Sequence, residues 1–249
     1  LTFRPSEAFF RGSFRLSDKR MPPNAEAVAQ RSGHRADIEG LRAWAVMPVI
    51  LFHFGVPGLG GGFVGVDLFC VISGSLITRL ILAERAADSF SFARFYARRA
   101  WRLLPAFLAT VMVTVPLAEI WLSALDRGDA RAAAAFALAS LSNVYFWLTA
   151  GYFDGAALSK PLLHTWSLSV EGQFYLLWPA LLMLFARRAL WVVLGALAAG
   201  SLAVSVAVAP RAPEAAFYLT PFRVFEFAIG AAVLLADRAK PGNAVREAA

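Results

Sequence analysis

Seven apolar blocks govern what this chain can fold into. They run at Leu41–Val56, Phe63–Ala83, Leu103–Leu122, Ala132–Ala150, Phe174–Ala186, Leu190–Ala209 and Pro221–Ala236. A helix rising about 1.5 Å per residue needs about 20 residues to cross the hydrocarbon of a bilayer. The second, third, fourth and sixth blocks meet that length unaided, whereas the first, fifth and seventh are short or carry ionisable side chains. The runs are continuous and do not alternate in ten-residue segments, so a membrane β-barrel is excluded. Apolar residues make up 59% of the chain and charged ones only 16%, with 21 Phe and 7 Trp, which excludes a disordered chain. Cys70 is the single cysteine, so a disulfide scaffold is excluded as well. The expected fold is all-α, a polytopic transmembrane helix bundle with about seven spans.

Residues 1–36 are polar and basic and read as a cytoplasmic tail, residues 37–236 as the membrane domain, and residues 237–249 as a C-terminal tail or truncated loop. If successive blocks cross in opposite senses, 17 of the 24 Lys and Arg residues fall on one side, with the tail, Arg79–Arg102, Lys160, Arg211 and Arg223. That asymmetry puts the N-terminus of a multi-pass membrane protein in the cytoplasm. Lys160 alone barely anchors the segment 151–172, which is free to be re-entrant. The net charge of +7 is thereby explained by topology, and no nucleic-acid partner is expected.

Ionisable residues inside a bilayer are costly and call for a reason. Arg42 and His53 are eleven residues apart, about three turns, and project from one face of the first helix about 16 Å apart. They are either a snorkelling cation and a satisfied histidine, or a functional pair. Reversal of the chain at Pro57–Gly62 sets Asp67 at the depth of His53. There it could fix the imidazole tautomer and leave Nε2 as a base, or merely cap its own helix. Arg94, Arg98, Arg99 and Arg102 gather on a helical start ahead of the third block, which suits a phosphate-rich ligand or lipid headgroups. His164, Trp166, Ser167, Glu171 and Gln173 concentrate polar chemistry at the entrance to the fifth block. Arg223 and Glu226 form an i,i+3 pair in the seventh. Gly60–Gly65 matches a dinucleotide fingerprint only formally, since no strand precedes it. Three scattered histidines and one cysteine give no metal spacing.

These residues, in order, resemble the acyltransferase-3 family of bacterial membrane O-acyltransferases. The stretches that carry the likeness are Arg35–Ala43, His53, Gly61–Thr78, Phe95–Pro105 and Leu163–Glu171, and it extends from about Arg35 to Leu235. The family's Arg-x10-His pattern falls on Arg42 and His53, and its Arg-x-x-Arg pattern on Arg99 and Arg102. The resemblance implies about ten helices, of which seven are counted here. It also implies transfer of an acyl group, commonly acetyl from acetyl-CoA, to a hydroxyl of a cell-envelope glycan or lipid-linked sugar. Acyl-CoA is then a co-substrate, and no bound cofactor or metal is expected. On that reading His53 is the base, Asp67 or Glu171 orients it, and Arg42, Arg99 and Arg102 hold the donor phosphates. His164, Trp166, Ser167, Arg223 and Glu226 are the candidates for the acceptor. A departure is Glu171-Gly172-Gln173, where members usually have a second glutamate. Alternatives are a proton-coupled transporter or flippase using His53, Asp67 and Arg223 as a relay, and an inactive fragment.

Overall fold

The computed structural model describes residues 36–149 and 160–239. The tail up to residue 35, part of the 151–172 segment and the end of the chain lie outside the described residues. Among the described residues the chain is entirely helical: α1 Ala36–His53, α2 Gly65–Ala86 after a 3-10 turn at Gly62–Val64, α3 Phe92–Trp121, α4 Ala124–Leu138, α5 Ser142–Thr149, α6 Thr165–Leu184, α7 Arg187–Val208, α8 Pro213–Tyr218 and α9 Val224–Ala239. Three stretches, Gly62–Ala86, Phe92–Trp121 and Arg188–Val208, are long and apolar enough to cross a membrane, and Gly40–His53 is a shorter apolar helix.

The fourth apolar block is not a span, which corrects the expected alternation. It folds as two helices, α4 and α5, that double back on each other. Ser140 takes φ 57° at the break. Its N–H donates to Ala137 O (2.9 Å) while Leu141 N–H donates to Phe136 O (2.8 Å). This is the Schellman arrangement that ends a helix, built here on a serine where glycine is usual. On the returning helix, Tyr145 donates to the carbonyl of Asp129 at 3.3 Å. The tip of this hairpin lies against α6. Gln173 donates its amide to Ser140 O (2.9 Å) and to Asn143 Oδ1 (3.0 Å). The Ser169 hydroxyl accepts from Ser142 N–H at 3.2 Å. Irregular backbone at membrane depth persists only where protein groups satisfy it, and Gln173 and Ser169 do that here. Gly172 faces the tip: a Cβ there would already touch Ser140 Oγ at 3.4 Å.

Because the block turns back, α6 runs in the same sense as α2. The pairs Ser73–Glu171, Thr78–Trp178 and Arg85–Leu182 advance together along both helices. Arg85 donates to Leu182 O (2.5 Å) and Phe185 O (3.0 Å), capping the end of α6 with a cation. The junction of α6 and α7 therefore sits at the end of the bundle that carries Arg79–Arg102, and Lys160 at the other.

The core is centred on α2, α6 and α9. Packing of α9 on α2 is the most extensive among the described helices, and two glycines permit it. A Cβ on Gly74 would lie 2.3 Å from Phe227 O, and one on Gly230 1.9 Å from Val71 O. Either position therefore excludes a side chain at this helix separation. Phe174 stacks on Phe227 with ring centroids 4.0 Å apart, closing the third side.

Candidate active site: an imidazole, a compensated arginine and an unpaired one

His53 is the last residue of α1 and is exposed. Its Nδ1 lies 2.8 Å from Val49 O one turn back. Nδ1–H donating to that carbonyl leaves Nε2 as the unprotonated nitrogen of the neutral ring. The group bonded to Nδ1 is thus a backbone carbonyl, and not Asp67, expected from depth, or Glu171, expected from the family resemblance. The reason is competition. Asp67 sits 2.5 Å from Nη1 of Arg223, a nearly buried cation that needs a counter-charge. His164 precedes α6 and is exposed, and its carbonyl accepts from Ser167 Oγ at 3.1 Å. Apolar surroundings, with the charge of His53 as the lesser cause, hold its imidazole below the usual histidine range.

Arg223 is bound on every side. Its Nε donates to Phe217 O at 2.5 Å, and its Nη1 to Asp67 and, at 2.9 Å, to Glu226 Oε1. Trp166 and Phe217 cover its faces at 5.0 and 4.9 Å. Trp166 is 2% exposed and Glu226 3%, so these two acceptor candidates are core residues around a cation. Cys70 lies within electrostatic reach of Glu226, Arg223 and Glu171.

Glu171 is buried and accepts from Ser73 Oγ at 2.8 Å and from the Tyr175 hydroxyl. Tyr175 in turn lies beneath Arg99, whose guanidinium carbon is 5.8 Å from that ring and 5.8 Å from Phe95. Arg98 beside it is paired with Glu84 at 2.6 Å. Arg99 makes no ion pair or hydrogen bond among the described residues, and its Nε is buried without a partner. With Arg94, Arg98, Trp101 and Arg102 it lines an open hollow of about 570 Å³ along the first three turns of α3. Arg42 stands apart from this group. It stacks on Phe69 at 4.8 Å, whereas Tyr175 lies at the level of α2 between Ser73 and Thr78, roughly 6–14 Å further along by the helix rise.

Tyr175, Asn143 and Thr220 were missed by sequence reasoning, which named only Gln173 of the cluster that Asn143, Gln173 and Thr220 form. Tyr175 is four residues after Glu171, on the same face of one helix, and that spacing was the available signal. The lone asparagine in an apolar block was the signal for Asn143, which donates to Tyr218 O at 3.2 Å.

Residues 35–239 match the family described as an acyltransferase domain, and the chain belongs to that family. It is 39% identical over 215 residues to BcsY of Komagataeibacter xylinus, whose name proposes a membrane-bound transacylase, covering 86% of this chain and 54% of that protein. It is 35% identical over 208 residues to the peptidoglycan O-acetyltransferase OatA of Listeria monocytogenes, covering 79% of this chain and 33% of that one. The O-acetyltransferase OatA of Staphylococcus aureus matches at 39% over 153 residues, 61% of this chain and 25% of its own length. This chain thus spans about half to a quarter of the relatives it matches. No solved structure matches it.

Proposed function

We propose that this chain is the membrane acyl-transfer domain of an O-acyltransferase that moves an acyl group, acetyl in the first instance, from acyl-CoA to a hydroxyl of a cell-envelope glycan or lipid-linked sugar. The names of the relatives support O-acetyl transfer, and two of them name peptidoglycan as the acceptor. The observation that carries the reading is a separation of two chemistries along one axis. An unpaired guanidinium reaches the level of α2 between Ser73 and Thr78. An imidazole with a free Nε2 sits beside Phe52, which packs on Phe63. By the helix rise these levels are about 15–23 Å apart. An extended pantetheine arm bridges a gap of that order, so phosphates held at Arg99 and Arg102 would deliver a thioester to His53.

The chemistry balances without a metal. His53 Nε2 takes the proton of the acceptor hydroxyl as its oxygen attacks the thioester carbonyl. The C–S bond then breaks, and the leaving thiolate takes the proton from the imidazolium. The arginine-rich end faces the cytoplasm of the inner membrane, where acyl-CoA is made, and the α6–α7 junction beside Arg85 adds Arg188 to that end. Replacing His53 with Ala should lower transfer about 10²- to 10⁴-fold. Mass spectrometry of envelope glycans reads the result: unchanged acyl-ester content from correctly inserted H53A protein would refute the assigned base.

A further inference from the structure

A carboxylate inside an apolar bundle needs hydrogen-bond donors. Glu171, 6% exposed, obtains them from Ser73 on α2 and from Tyr175 one turn along its own helix. The other face of this arrangement is Arg99. Of the two rings that hold its guanidinium, Phe95 belongs to its own helix α3, and Tyr175 is the one supplied from outside. The Tyr175 hydroxyl is tied to Glu171, so the carboxylate sets where that ring lies. No bond from Glu171 reaches His53, whose Nδ1 is taken by Val49 O.

We propose that Glu171 is a positioning residue for the acyl donor: through Tyr175 it holds Arg99 in place for a phosphate of the coenzyme, and it does not orient His53. This rests on the donor reading given above. The chemistry explains why a tyrosine stands between the two charges. A carboxylate bonded directly to Arg99 would occupy its in-plane N–H groups and cancel its charge, as Glu84 does for Arg98. A ring packed against the guanidinium steadies it without occupying its N–H groups, and leaves the donors that are not buried free for the ligand.

The test uses the purified chain in lipid nanodiscs, with CoA as the probe and affinity measured by titration calorimetry. R99A should weaken CoA about 10- to 100-fold, the loss of charge-assisted hydrogen bonds. Y175L, which removes the ring, should weaken it about tenfold. Y175F and E171A, which each remove the hydroxyl–carboxylate bond, should weaken it by about two- to tenfold. Their double variant should be no weaker than the worse single one, because both break the same bond. Glu171→Gln still accepts from both hydroxyls and should stay within about twofold of the parent. A strictly additive double variant, or wild-type affinity in Y175F and Y175L beside a loss in R99A, overturns the proposal and leaves the donor reading standing. Equal CoA binding by the parent and R99A, or none by either, removes the donor reading and this proposal with it. If E171A fails to insert, Y175F alone decides, because it keeps the ring and its volume.

Discussion

Two arginines of this chain meet the same low-dielectric interior in opposite ways. Arg223 has two carboxylates, one carbonyl and two aromatic faces around it. Arg99 has two aromatic rings and no hydrogen bond or ion pair among the described residues. The first is fully compensated and joins α2, α8 and α9 across 156 residues of sequence. The second is held by its faces only, with its donors idle. A cation that the protein itself neutralises is part of the scaffold; on the donor reading proposed above, one that it holds without neutralising is arranged for an anion that comes from elsewhere. Composition does not separate the two, since both are Arg in or beside apolar runs.

Removing Arg223 tests the scaffold half of that contrast and should give the largest effect. R223A leaves Asp67 and Glu226 without their counter-charge, and breaking a buried pair in this way costs about 3–5 kcal/mol. Thermal or denaturant unfolding in detergent measures it, and an R223A protein as stable as the parent would break the comparison at once. The opposite result is expected at Arg99. Because it leaves no charge unpaired, R99A should cost far less than R223A, about 1–2 kcal/mol for the two lost ring contacts. Its loss should appear instead as the disappearance of CoA-dependent protection of arginine side chains against phenylglyoxal, read by peptide mass spectrometry. A large loss of stability in R99A would make both arginines structural.

The helical class and the Arg99–Arg102 pair were legible in the sequence because block length and i,i+3 spacing are local properties. The topology was not. Ala132–Ala150 has the length and hydropathy of a span, and the residue that breaks it, Ser140, is neither glycine nor proline, the usual signals of a break. The carbonyl of that left-handed serine is satisfied by Gln173, thirty-three residues away, a partner no local pattern announces. Misreading that one block reversed the sense of α6. The pairing of Asp67 failed for a related reason. Equal depth on adjacent helices made His53 a plausible partner, but the competitor that won, Arg223, arrives from the far end of the chain, and no local spacing announces it.

A smaller effect sharpens the contrast at the open end of the bundle, where His53 and His164 lie within electrostatic reach of each other. Neither arginine changes charge in the physiological range, whereas His164 does, and its surroundings and the His53 charge both disfavour its charged form. Its pKa in the fold is therefore below the ordinary value of 6.5, and below pH 6.5 the unfolded chain binds the more protons at this site. Stability from this group is then complete above about pH 6.5 and falls as the pH drops toward the folded pKa. Below that pKa both states are protonated and the dependence flattens. H164N abolishes the term, so the difference in melting temperature between H164N and the parent should vary between pH 5 and 6.5 and stay constant from pH 7 to 8. Placing the same substitution in an H53A background should leave a weaker dependence, because the neighbouring charge is gone and only desolvation remains. A difference curve that is flat throughout would mean that neither burial nor the His53 charge lowers the His164 pKa in the fold, and an unchanged dependence in the H53A background would mean that the two imidazoles do not interact.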